Sequence, residues 1–240
     1  MSPGAGFPSG PRQGGRGRVA ASVSVFGELL ITAGLVLGLF VVYSLWWTNV
    51  IADRRADQQG NKVRDHWAAG KDAGPGALDT KDGIGFLHVP AMKNGDVLVE
   101  KGTSTDVLNN GVAGYYIDPV KATLPMTGKT GNFALAAHRD GHGAKFHNID
   151  KVRKGDPIVF ETKDNWYVYK VFSILPQTSK YDVKVLGAVP KQAGVKKPGH
   201  YITLTTCTPV YTSEYRYIVW GELERVQKVD SKRTPPKELG

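Results

Sequence analysis

Three residues in this chain are of types that could do covalent chemistry together: Cys207, His138 and Arg216. Cys207 is the only cysteine, so no intramolecular disulfide can form, and its sulfur serves either as a nucleophile or as a small core residue. It lies near the end of the run Tyr201-Ile202-Thr203-Leu204-Thr205-Thr206-Cys207-Thr208-Pro209. The alternation and β-branched content of that run predict a strand, which Pro209 stops. His138 follows a second apolar run, Asn132 to Ala137, and precedes a turn marked by Asp140, Gly141 and Gly143. Arg216 opens a third run, Tyr215 to Gly221, nine residues after the cysteine. Pairing of the last two runs as a hairpin sets Cys207 and Arg216 across its open end. The chemistry would be acyl transfer: a thiolate attacks a carbonyl, an imidazole moves the proton, and a permanently charged guanidinium stabilises the oxyanion.

Other chemistries fit less well. His138, His142 and His147 suggest a metal, but Gly141 and Gly143 break the helix that a His-x-x-x-His pair needs, and no Glu follows His138. Papain-like peptidases place the cysteine early, at a helix start, whereas here the histidine precedes a strand-end cysteine. The Ser-His-Gly-Cys of L,D-transpeptidases is absent. A non-catalytic, basic wall-binding domain with an inert Cys207 is the alternative outside enzymes.

The elements that must position these residues are mostly strands. Short apolar, β-rich runs occupy Ile84–Val89, Val97–Glu100, Phe133–Ala137, Pro157–Thr162, Trp166–Leu175, Tyr201–Thr206 and Tyr217–Leu223, split by Gly, Pro, Asn and Asp. Ser104–Asn109 and Lys145–Val152 are expected as brief helices. Such a pattern predicts a closed barrel or a sandwich.

Ahead of this domain, no charged residue occurs between Leu29 and Ala52, and Trp46 and Trp47 lie near the end of that run. It is long enough to cross a bilayer and has no Ala-x-Ala cleavage site, so an uncleaved anchor is expected. The organisation read from composition is a disordered N-terminus at 1–22, a transmembrane anchor at 23–51 and a stalk at 52–80, helical at first from Asp53 to Trp67. A catalytic barrel at 81–226 and a polar tail at 227–240 follow. Lys and Arg outnumber Asp and Glu by 31 to 22, a formal net charge of +9. Without long basic blocks or aromatic-basic repeats, that excess suits an anionic envelope better than nucleic acid, and no nucleic-acid partner is expected.

Taken together, Thr203-Leu204-Thr205-Thr206-Cys207, Arg216 nine residues on and Ala137-His138-Arg139 upstream resemble the sortase signature. The resemblance runs from about Gly83 to Glu222 and includes Leu124-Pro125 and Lys154-Gly155-Asp156. Cys207-Thr208-Pro209 with Tyr215-Arg216-Tyr217-Ile218-Val219-Trp220-Gly221 looks closest to the class E sortases of Gram-positive bacteria.

The resemblance implies an all-β closed barrel of about eight strands with the active site at one end. It implies His138, Cys207 and Arg216 as catalytic residues, with Ala137 and Thr206 lining the substrate site. Cys207 would attack the Thr–Gly bond of a C-terminal sorting signal on a secreted protein, and a peptidoglycan amine would resolve the thioester. No cofactor and no metal are implied. Both substrates lie outside the plasma membrane, so the N-terminus would be cytoplasmic and the catalytic domain extracellular. Where many relatives carry Gly-His-Tyr-Pro, this chain reads Ala113-Gly114-Tyr115-Tyr116. A tyrosine at this place is thought to favour Leu-Ala-x-Thr-Gly over Leu-Pro-x-Thr-Gly; by position it is Tyr115, with Tyr116 also open.

Overall fold

A computed structural model of the chain describes residues 16–69 and 83–240. Residues 1–15 and 70–82, parts of the expected disordered N-terminus and stalk, lie outside the described residues. The chain divides into two compact units between Leu45 and Trp46.

Helix α1 runs from Arg16 to Ala68. Helical order therefore begins inside the segment expected to be disordered to residue 22. Val19, Ala20 and Ala21 only extend a helix that the apolar run already nucleates, which costs far less than starting one. In the first unit Val23, Phe26, Leu29, Leu35, Leu39 and Phe40 are all exposed. The stretch has a mean hydropathy of 2.3 and is long enough to cross a membrane, and its all-round apolar surface suits lipid.

In the second unit, the later turns of α1 are amphipathic. Ala52, Ala56, Val63 and Trp67 are buried on one side, while Arg54, Arg55, Asp57, Lys62 and Asp65 are exposed. Ala56, Val63 and Trp67 pack with Phe86, Leu98 and Val112, and the Trp67 and Phe86 rings meet edge to face at 5.5 Å. The close approach uses small residues: a Cβ on Gly60 would lie 3.1 Å from the Phe86 ring. The expected stalk is thus a docked helix as far as Ala68.

Eight strands close a barrel: β1 (Gly85–His88), β2 (Val97–Lys101), β3 (Ala113–Tyr115), β4 (Gly131–Ala136), β5 (Pro157–Glu161), β6 (Asn165–Ser179), β7 (His200–Thr208) and β8 (Tyr215–Lys228). Their order is β1-β2-β3-β4-β7-β8-β6-β5, with β2/β3 and β4/β7 parallel and the other pairs antiparallel. Alternation sends Phe133, Leu135, Phe160, Tyr169, Ile202 and Leu204 into the interior core. The Phe133 and Phe160 rings pack at 4.8 Å.

Two local expectations change. β3 has only three residues, too few to show a period-2 pattern. The helix expected at Lys145–Val152 shrinks to one 3-10 turn, Ile149–Lys151. Its would-be start is diverted, because the Lys145 carbonyl accepts from Asn94 Nδ2 at 2.6 Å and Asn148 Nδ2 donates to the Met92 carbonyl.

The C-terminal residues, expected as a polar tail, are docked too. Val229 and Leu239 pack against Val159, Trp166 and Val168. Arg233 Nη2 reaches Glu161 Oε1 at 2.7 Å. Glu161, its side chain 2% exposed, also takes Arg64 Nη1 of α1 at 3.3 Å and His88 Nε2 at 3.0 Å. One buried carboxylate therefore joins helix, barrel and C-terminus. His88 Nδ1 turns to Asp96 at 3.0 Å. Burial works against a charged imidazole there, but the two carboxylates outweigh it and raise the His88 pKa.

Candidate active site

β4 and β7 run parallel with Ala136 level with Thr205, and the Ala137 N–H continues the ladder to the Thr205 carbonyl. Two residues further along each chain stand His138 and Cys207. On the other side of β7, the antiparallel register sets Cys207 directly opposite Arg216 of β8. Opposed residues carry their side chains on one face with Cβ atoms about 4.5–5.5 Å apart. The three residues singled out in the sequence thus lie at the ends of three adjacent strands, Cys207 and Arg216 as register partners and His138 two residues beyond the last β4 pair.

Strand parity defines the face. Phe133, Leu135, Ala137, Ile202, Leu204, Tyr217 and Val219 belong to the interior core. Ala134, Ile218 and Trp220 belong to a separate cluster on the outer side, with Val185 and Leu186. Cys207 and Arg216 share the parity of that outer set. The site is therefore at one end of the barrel but on its outward surface, not in its mouth. Cys207 is partly exposed.

The connection between β6 and β7 covers the outer floor. Asn132 Nδ2 donates to the Leu186 and Gly187 carbonyls at 3.2 and 3.1 Å, and Trp220 Nε1 donates to the Val185 carbonyl at 3.0 Å. Thr203 Oγ1 in turn donates to Asn132 Oδ1, which orients the amide.

Ala137 and Thr206 were expected to line the substrate site. Both are buried, and the Thr206 hydroxyl donates to the Ala137 carbonyl at 2.7 Å. They tie the β4 and β7 ends together just before His138 and Cys207. Tyr115 points into the interior core. Tyr116, one residue on, is only partly buried and packs against both the interior core and the outer cluster that holds Ala134 and Ile218. Its hydroxyl lies 3.1 Å from Thr205 Oγ1. Burial raises the Tyr116 pKa, while the field of Arg216 lowers it and that of Cys207 raises it; Tyr116 thus sits within electrostatic reach of both.

His138 Nε2 lies 2.9 Å from Asn109 Oδ1. That oxygen can only accept, so Nε2 carries the proton and Nδ1 keeps the lone pair. Burial lowers the His138 pKa, His142 lowers it further, and Asp140 partly opposes them. The ring therefore favours the neutral form at neutral pH. The His142 ring stands 5.4 Å away. No sequence signal marks Asn109, which follows α2 (Thr105–Leu108) and lies 29 residues from His138.

Arg139 is a second residue whose place is plain only in three dimensions. It is 5% exposed. Nη1 donates to Thr208 Oγ1 at 2.9 Å and to the Cys207 carbonyl at 3.4 Å, and Nη2 reaches Asp150. It clamps the main chain of the cysteine from within. Arg216 Nη1 is held by the Ser213 and Tyr215 carbonyls at 3.1 and 2.9 Å. Among the described residues no group of three or more His, Cys, Asp and Glu side chains is disposed around a metal.

A closed eight-stranded mixed barrel with this strand-end grouping is the architecture of sortases, and the chain belongs to that family: the sortase domain matches residues 87–224. Sortases are the cysteine transpeptidases that anchor surface proteins to the cell wall. Within the family the likeness is to class E. The chain is 73% identical to sortase SrtE2 of Streptomyces coelicolor over 238 residues, covering 94% of each chain. It is 47% identical to SrtE1 of the same organism over 207 residues, covering 86% of this chain and 58% of that one. A crystal structure of sortase E1 from Streptomyces coelicolor, with a tripeptide in its active site, superposes with a TM-score of 0.62 at 46% identity, covering 66% of this chain and 96% of that one.

Proposed function

We propose that this chain cleaves a Leu-Ala-x-Thr-Gly or Leu-Pro-x-Thr-Gly sorting signal between Thr and Gly and transfers the protein to a peptidoglycan amine. It does so as a single-pass enzyme of the plasma membrane, with its N-terminus cytoplasmic and its barrel outside. The observation that carries this reading is the register around Cys207: Arg216 stands opposite it on β8, and β4 pairs with β7 up to Ala136 and Thr205, two residues before His138 and Cys207.

The steps follow from the groups. Nδ1 of neutral His138 accepts the Cys207 thiol proton as sulfur attacks the threonine carbonyl carbon. Arg216 donates to the oxyanion. The intermediate collapses with rupture of the Thr–Gly C–N bond, and His138 returns the proton to the departing glycine amine. The thioester is then attacked by the acceptor amine, which loses a proton to His138 as the sulfur leaves. Tyr116, which also reaches the outer cluster, is the tyrosine that would read the residue before x in the signal. Tyr115, which lies in the interior core, and the buried Ala137 and Thr206 shape the site from behind.

The test is intact-protein mass spectrometry of the full chain in detergent with a Leu-Ala-x-Thr-Gly peptide. An adduct equal to the acyl half of the peptide on Cys207, discharged by an added amine, is expected. Absence of any adduct, with Cys207 inert to a thiol reagent in the folded protein, overturns the reading.

A further inference from the structure

The membrane-proximal turn of α1 touches both loops that hold His138. Asn49 Oδ1 accepts from the Gly143 N–H at 2.9 Å. One turn later Asp53 Oδ1 pairs with Lys145 Nζ at 2.9 Å. Both partners belong to the 139–146 loop, which leaves His138 and returns to it, since the Phe146 N–H donates to the His138 carbonyl at 3.0 Å. The second loop carries Asn109, the partner of the His138 ring. Two residues on, Gly111 lies against the same turn, and a Cβ there would come within 2.8 Å of the Ala52 carbonyl. The three segments meet at one point. A Cβ on Gly143 would lie 2.9 Å from Asp53 Oδ1 and 3.3 Å from Gly111 Cα. Gly111 and Gly143 have φ of +76° and +80°, so the backbone conformation favours glycine at both, and at Gly111 the Ala52 main chain leaves no room for a Cβ either.

We propose that Asn49 and Asp53 are positioning residues for His138, so that this turn of α1 is a working part of the catalytic unit. The inference rests on the proposed role of His138. A half-exposed ion pair and a single hydrogen bond add little to stability. What they do supply is location: they fix the 139–146 loop against the segment that holds Asn109, and so fix the imidazole between its amide partner and the cysteine. Loss of such a constraint is felt in the chemical step, because misplacement of a reacting group by an ångström can cost on the order of a hundredfold. The family match begins only at residue 87, so a chain cut to the barrel would lack this support.

The groups whose charge shifts the His138 pKa are His142 and Asp140 from its own loop; Cys207 and Arg216 stand on the neighbouring strands β7 and β8. Asp53 and Lys145 lie behind that loop. The test compares full-length wild type with Asn49→Ala, Asp53→Ala and the exchange Asp53→Lys with Lys145→Asp, all in detergent. It records kcat and KM for the peptide, and the pH dependence of kcat/KM. Asn49→Ala and Asp53→Ala are expected to lower kcat about tenfold with little change in KM and to move the acid limb of the pH profile, as expected for a misplaced proton carrier. The exchange recovers kcat. Arg64→Ala, which loosens the same helix at its Glu161 end, serves as the control. It lowers Tm and leaves the pH profile unmoved. Wild-type kcat and pH profile in both single variants overturn the proposal, as does an equal shift of the profile in Arg64→Ala. Cys207 acylation in wild type is read in parallel, and its absence removes the underlying catalytic reading instead.

Discussion

Cys207 of β7 and Arg216 of β8 are register partners on the outer face of the barrel, one position from the end of their paired strands. Arg216 is already held by two carbonyls of its own hairpin, Ser213 and Tyr215. The guanidinium is therefore pre-oriented, and little reorganisation is needed when charge develops on the substrate.

Replacing Arg216 should accordingly act on the chemical step. Arg216→Ala is expected to lower kcat by about 10²–10³-fold, the usual cost of losing an oxyanion donor. Arg216→Lys should not recover it, because an ammonium lacks the planar fork. Steady-state kinetics on the sorting peptide measure both, and a lysine variant as fast as wild type would show that only charge matters.

The pH profile reports the surroundings of His138. Burial and then His142 hold its pKa below the ordinary imidazole value, and Asp140 opposes them. His142→Ala removes a lowering influence, so the acid limb of kcat/KM should move to higher pH. Asp140→Asn removes a raising influence and should move the limb to lower pH. Opposite displacements in the two variants are the signature to look for.

Glu161 joins Arg64, His88 and Arg233. Glu161→Gln strips a buried carboxylate from three cationic partners and should cost about 3 kcal/mol of stability, given that both arginines are about one-third exposed. The linkage has two limbs. His88 has a raised pKa, so its contribution is full below the unfolded value of about 6.5 and lost as pH rises through the raised folded value. Asp96 and Glu161 have lowered pKa values, Asp96 chiefly through its hydrogen bond to His88, and Glu161 because His88 and Arg233 outweigh burial. Their contribution is full above about pH 4–4.5 and lost on acidification through the lowered values. Denaturant midpoints should therefore peak in the mildly acidic range, and His88→Phe should flatten the alkaline limb.

Trp220→Phe keeps most of a buried ring but leaves the Val185 carbonyl without its donor. It should cost about 1–3 kcal/mol. Amide exchange in residues 183–187 should quicken selectively; uniform quickening across the barrel would mean that the ring matters only as core volume.

The legible parts of this molecule were those with a repeating signal. The long apolar run and most of the barrel strands carry a period or a length that composition cannot hide. Cys207, His138 and Arg216 stand at strand ends, where Pro and Gly punctuate the chain. Tyr115 and Tyr116 differ by one residue, and only the pairing of a three-residue strand buries Tyr115 in the interior core while Tyr116 also reaches the outer cluster. Asn109, Arg139 and the docking face of α1 leave no local trace. Ala52, Ala56 and Gly60 are small residues among charged ones, and their value lies in what they allow to approach. The docked C-terminus likewise depends on a carboxylate, Glu161, that precedes Arg233 by 72 residues.

The covering of the outer floor has a practical corollary for anyone building chimeras. The connection between β6 and β7 is not a self-contained cassette, because its main chain is fastened by Asn132 from β4 and Trp220 from β8, with Thr203 of β7 orienting the amide. Transplanting that loop between relatives therefore means moving its fasteners as well. A graft that carries only the loop would leave it without its moorings on two separate strands.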